Sequence, residues 1–222
     1  NYIAYAQDPS GGGWRYSPRQ AGDTSVVGWQ LMALKSGQMA GLQVNKMVLK
    51  KAEQYVDSVE ETNSQGKGLG QFGYTGPQKG RYTMSAVGLL CRQYLGALRR
   101  SPSLLNGTKF LLASYPASRM APRNMYYTYY AAQVMHHMGG DRWKEWNLGK
   151  GGQPGMRETL LKMQDRSPLA DGSFDPKGDA HAGAGGRIMK TSLCLLTLEV
   201  YYRHLPLYRR GEVNAGKKMM KE

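Results

Sequence analysis

The chain has 222 residues, 41% of them hydrophobic, with 30 Lys and Arg against 16 Asp and Glu for a formal charge of +14. That is enough chain for one domain with a core, and too apolar for disorder despite 29 glycines. No apolar run reaches the ~20 residues of a membrane span, no secretory leader is read in it, and its charge comes without a nucleic-acid motif, so neither a membrane span nor a nucleic-acid partner is expected.

In chain order, Tyr2 to Gln7 reads as the tail of a helix whose beginning is missing, so the rest of a larger parent chain is an expected partner. A glycine-aromatic loop follows, Gly12-Gly13-Trp14-Arg15-Tyr16, and then a buried helix from Asp23 to Gly37. Ser25, Gly28, Leu31 and Leu34 share one stripe of it; Asp23 or Thr24 is the cap and Gly37 the stop. An amphipathic helix from Val44 to Val59 and a second loop, Gly70 to Tyr74, lead to a second copy of the first helix at Tyr82 to Gly96. There Ser85, Gly88, Cys91 and Tyr94 replace the first stripe. A third copy runs from Tyr127 to Gly140 around Thr128 and Ala131, and a fourth from Lys190 to Tyr202 around Thr191 and Cys194. Shorter helices at Leu104 to Ser114 and Met156 to Gln164, and a third loop at Asp171 to Asp175, fill the intervals. The unit is thus outer helix, glycine-aromatic loop, inner helix, at a loose period of about 40 to 65 residues that suits stacked helical pairs. Inner helices are expected near 23–36, 82–98, 125–138 and 188–204, within a repeat domain over 1–207 followed by a basic tail over 208–222.

Two stretches, Gln7 with Gly12-Gly13-Trp14 and Gln164 with Gly172-Ser173-Phe174, resemble the repeats of the squalene-cyclase and protein-prenyltransferase superfamily, a glutamine followed by Gly-x-Trp or Gly-x-Phe. The likeness runs from Tyr2 to about Leu207. It implies an all-α fold, an α/α toroid with parallel inner helices inside an outer ring; with four inner helices here, the ring is either a whole toroid or an incomplete one. It implies little about function, because the family holds cyclases, prenyltransferase subunits and non-enzymes. Cyclases of this kind carry an Asp-x-Asp-Asp-Thr-Ala run whose middle acid protonates the substrate. The nearest run here is Gln20-Ala21-Gly22-Asp23-Thr24-Ser25, with glycine in the place of the donor.

Three sets of residues bear on chemistry. Arg15, Arg81, Arg123 and Arg187 each precede an inner helix. If those helices are parallel, arginines and positive helix ends gather at one mouth, where an anion is favoured; the plainer alternative is solvated arginines paired with loop groups. Trp14, Tyr74, Tyr82, Tyr127 and Phe174 belong to the aromatic loops and helix starts, and either wall an apolar cavity or plug the repeats together. Asp179 and His181 are the metal candidates, but they are short of the three protein ligands that zinc needs, so no cofactor is expected. If the protein is an enzyme, Asp23, Asp175 or Asp179 is the candidate acid. The leading expectation is a repeat domain that binds an apolar or anionic, isoprenoid-like ligand in a central cleft without the cyclase acid. A terpenoid cyclase or prenyltransferase, and a protein-interaction scaffold, are the alternatives.

Overall fold

The structure, a computed structural model, describes residues 2–114 and 117–203. The basic tail over 208–222 and the expected end of the fourth inner helix at residue 204 lie outside the described residues.

A short helix α1 (Tyr2–Ala6) leads into the first inner helix, α2 (Thr24–Met39). Asp23 caps α2, its carboxylate accepting from the Val26 N–H at 2.9 Å. The expected stop at Gly37 is passed: that glycine is helical, and the chain turns at Gly41, whose φ of 80 only glycine adopts without strain. The outer helix α3 (Lys46–Ser58) is capped by Asn45 and buries Val48, Ala52, Tyr55 and Val56. Then comes an element the sequence did not signal. Strands β1 (Glu60–Thr62) and β2 (Gly68–Phe72) pair antiparallel, Glu60 opposite Phe72, so this glycine-aromatic loop is a hairpin.

The second inner helix is α4 (Tyr82–Tyr94), followed by outer helix α5 (Pro102–Ser114) and a short α6 (Ala117–Met120). The third inner helix α7 (Met125–Met138) is capped by Asn124. Helix α8 (Gly140–Leu148), a hairpin of β3 (Gly149–Lys150) and β4 (Gln153–Pro154), and α9 (Met156–Met163) precede the fourth inner helix α10 (Ala182–Leu198) and α11 (Val200–Arg203). A break at Gly186, φ 58, splits α10 near its start.

The inner helices run in one direction. At their starts, Asn124 of α7 donates to the Thr83 hydroxyl of α4 at 3.2 Å, and Ser25 of α2 meets the Tyr126 hydroxyl at 2.7 Å. At their ends, Gln93 of α4 donates to the Val134 carbonyl at 3.1 Å and Tyr94 to Gln133 at 3.1 Å. Lys190, in the first turn after the Gly186 break of α10, donates to the Pro122 carbonyl, just ahead of α7, while Tyr201 beyond the helix end lies 6.3 Å from the His136 ring. The protein is therefore all-α in class, with two minor hairpins, and its core lies between the parallel inner helices and the outer ones.

The repeat is written in hydrogen bonds as well as in sequence. Gln7 and Gln164 each donate from their side-chain amide to the carbonyl of the first glycine of the loop, Gly12 at 2.8 Å and Gly172 at 3.0 Å. The neighbouring Asp8 and Asp165 each accept from a serine N–H two residues on, Ser10 at 3.0 Å and Ser167 at 2.9 Å. The hydroxyl that opens an inner helix takes the N–H of the loop phenylalanine: Phe72 donates to Ser85 at 3.1 Å and Phe174 to Thr191 at 3.0 Å. The small residue three positions later has two uses. At Gly28 it admits the next helix, since a Cβ there would lie 2.6 Å from Val87. At Gly88 it admits the loop itself, because the Phe72 ring sits on it.

Cys91 and Cys194 are free and buried. Burial pushes both thiols up to about 12, which removes the thiolate that a disulfide reagent attacks. In Ellman titration at about pH 8 both should stay silent in the native protein and appear together on unfolding in urea; rapid reaction of either in native buffer would contradict this packing.

Candidate ligand cleft

A cleft of about 1030 Å³ opens where the starts of α2, α4 and α7 meet. Its walls are Tyr16, Trp29, Tyr74, Tyr82 and Tyr126, with Val26, Met84 and Met120 between them. Its polar lining is Ser25, Thr83, Asn124, His181, Arg81 and Arg123; among the described residues no carboxylate side chain lines it. Arg81 donates to Gln78 at 2.9 Å, a neutral partner. Among the described residues the Arg123 side chain has no hydrogen bond or ion pair, and the residue is exposed. Two cations without a charge partner thus share the wall with the first turn of α4, which has no side-chain cap, so its amide dipoles add to the positive potential there.

The loop that carries Arg123 is fixed from below. Its carbonyl accepts from Ala180 N–H at 2.8 Å, and the preceding Pro122 carbonyl takes the buried Lys190 ammonium at 3.0 Å. Asp179 holds the other side, accepting from Met125 N–H at 3.0 Å and His181 N–H at 2.9 Å, with Lys190 3.9 Å away. On the opposite wall Tyr82 stacks on Phe110 at 4.8 Å and 7°. Burial, with the Tyr16 hydroxyl and the Asp23 carboxylate beside it, drives the Tyr74 phenol upward. Burial and the Tyr126 neighbour do the same to Tyr130. These phenols stay neutral and offer O–H groups rather than charge.

The structure divides the residues singled out from sequence. Arg81, Arg123, Tyr74, Tyr82 and His181 are brought to the cleft. Trp14, Tyr127 and Phe174 are not; they are core. The Trp14 indole donates to the Ile3 carbonyl at 2.8 Å, Tyr127 packs edge-on to Trp146, and Phe174 is fully buried against α10. Arg187 turns to its own loop, reaching Asp165 at 3.1 Å and Ser173 at 2.9 Å. Arg15 lies behind the wall, 3.7 Å from Asp23 and over the Tyr74 ring. The three candidate acids are also outside the lining: Asp23 is a buried cap, Asp179 is saturated by backbone amides, and Asp175 is an exposed turn residue bonded to Lys177 N–H. Asp179 and His181 form no metal centre with a third ligand, and no three His, Cys, Asp or Glu converge among the described residues.

Trp29, Ser25 and Thr83 were not singled out as site residues from sequence. Trp29 carried one signal in sequence, being the tryptophan of an inner helix; the structure leaves it 43% exposed where a core tryptophan would be buried. Among the described residues no helix is long and apolar enough to cross a membrane. No known protein family and no curated protein matches the chain.

Proposed function

We propose that the protein is an arc of an α/α toroid related in kind to the squalene-cyclase and prenyltransferase repeats, and that it binds, without converting, a ligand with an anionic head and an apolar isoprenoid-like tail. The observation that carries this reading is the meeting of Arg81 and Arg123 with an aromatic wall in a cleft lined, among the described residues, by no carboxylate side chain. The arginines and the uncapped start of α4 suit a diphosphate or carboxylate, and the tyrosines and Trp29 suit the tail. Asp23, Asp175 and Asp179, the acids that a cyclase or transferase would use, are not among the residues that line the cleft.

Farnesyl diphosphate titrated by calorimetry, with Trp29 fluorescence as a second signal, is expected to bind in the low micromolar range. Arg81→Ala and Arg123→Ala should each weaken it by roughly tenfold, the loss of one charge-assisted contact. Farnesol should bind more weakly and respond little to either change. No heat at millimolar farnesyl diphosphate rejects the reading; product formation abolished by Asp23→Asn would replace it with the enzymatic one.

A further inference from the structure

The end of the molecule opposite the cleft is apolar and cationic at once. Inner helix α2 turns into outer helix α3 over residues 40–45, and around this turn three long apolar side chains stand out: Met39 is 44%, Leu42 66% and Met47 57% exposed. Lys35 lies one turn before Met39, and Lys46 and Lys50 flank Met47 in the first turn of α3. Among the described residues the ion pairs of lysine fall elsewhere, at Lys150, Lys162 and Lys190. No Asp or Glu occurs between residues 24 and 52, and Glu53, the first acid on α3, is two turns along that helix from Lys46. The neighbouring turn at this end, from α4 to α5, repeats the character: Leu98 is 54% exposed, Arg100 is exposed, and the chain has no acid from residue 62 to 140. Acid returns at this end only with Asp141, after α7. Single exposed apolar residues are ordinary on a protein surface, but a cluster ringed by cations and cleared of acids is not.

We propose that this end of the protein docks on an anionic membrane surface, with Met39, Leu42 and Met47 entering the headgroup boundary and the lysines meeting the lipid anions. Charge complementarity selects this occupant: cations without acid partners favour a negative leaflet, and the apolar side chains among them favour its acyl boundary. Lysine suits both layers, since its alkyl stem lies along apolar surface while its ammonium stays with the headgroups. Each cation held there is worth roughly a fivefold gain in affinity. None of these residues lines the cleft, so the contact stands apart from the ligand reading. The 16 residues of α2 rise about 24 Å, which sets the cleft, at the other end of that helix, away from the bilayer and open to solution.

Co-sedimentation of the whole chain with lipid vesicles tests this. The protein is expected to bind phosphatidylcholine vesicles that contain about a third phosphatidylserine, to bind pure phosphatidylcholine far less, and to let go as salt rises to about 0.5 M. Lys46→Glu and Lys50→Glu should each weaken binding at least roughly fivefold. Leu42→Ser with Met47→Ser should weaken it several-fold while its dependence on salt remains. All four positions are exposed, so the circular dichroism of each variant should be unchanged. Lys79→Glu makes the same change of charge just ahead of α4, at the cleft end, and should leave vesicle binding as it was. A loss from Lys79→Glu equal to that from Lys46→Glu overturns the proposal, by showing that net charge and not this end holds the membrane. Failure to bind anionic vesicles, or binding that survives the changes at residues 42, 46, 47 and 50, overturns it as well. A chain that ignores vesicles but binds polyglutamate overturns it in favour of an acidic protein partner.

Discussion

Gly88→Ala should destabilise the protein by about 1–3 kcal/mol even though alanine is the better helix former. Removing a glycine from a helix interior ordinarily gains up to about 1 kcal/mol. Here the gain is overridden, because an added methyl would overlap the ring of Phe72, and that ring cannot retreat. It is fully buried, its own N–H is held by Ser85, and the Arg92 guanidinium lies 5.9 Å from its centroid. For a chain of this length the midpoint of thermal unfolding should fall by about 2–4 °C per kcal/mol. Gly183→Ala in α10 is the control, since a Cβ there meets nothing within 4 Å, and it should be neutral or mildly stabilising. Combining Gly88→Ala with Phe72→Leu, which clears part of the ring, should cost less than the sum of the two single changes. Strict additivity would show that the loop aromatic does not lock the inner helix.

How far this architecture could be read beforehand depends on the residue. The inner helices announced themselves because a hydroxyl, a small residue and an apolar stripe recur together, and each of these has a local physical reason. Direction and neighbourhood were expectations of the resemblance rather than readings of any single residue. The hairpin at Glu60 to Phe72 did not show, because its strands are short, rich in glycine and paired through a turn with no strong signature. The arginines also look alike in sequence, one before each inner helix. What separates Arg187 from Arg123 is the presence of Asp165 and Ser173 across the loop, a contact over long separation that no window around residue 187 contains. Trp14 and Phe174 were open to two readings, wall or plug, and the difference lies in whether the ring turns toward the outer helix or the mouth. Both turn inward.

Glu60→Gln should lower stability by about 3 kcal/mol, although it installs the residue found at the matching place in the other repeats. Glu60 is the third member of the set that includes Gln7 and Gln164. Each lies just ahead of its loop, at a chain separation that varies enough to hide the relation in sequence, and bonds the backbone of a loop glycine; Gln7 and Gln164 donate to the carbonyl, whereas Glu60 accepts from the Gly70 N–H at 2.9 Å. This repeat carries a carboxylate where the other two carry an amide, and the carboxylate meets Arg92. Its guanidinium is largely buried, donates to Glu60 at 3.0 Å, and shares its other end with Asp57. With glutamine at 60, Arg92 keeps only the half-exposed Asp57, and a buried cation is left short of charge. A leucine at 92 removes the need for the acid, so Glu60→Gln with Arg92→Leu should recover most of the loss, as replacing both partners of a buried pair commonly does. Urea unfolding of the four proteins gives the coupling directly. A double variant as unstable as Glu60→Gln alone would mean that the carboxylate serves the Gly70 amide rather than the arginine, and that the substitution of acid for amide in this repeat has no electrostatic cause.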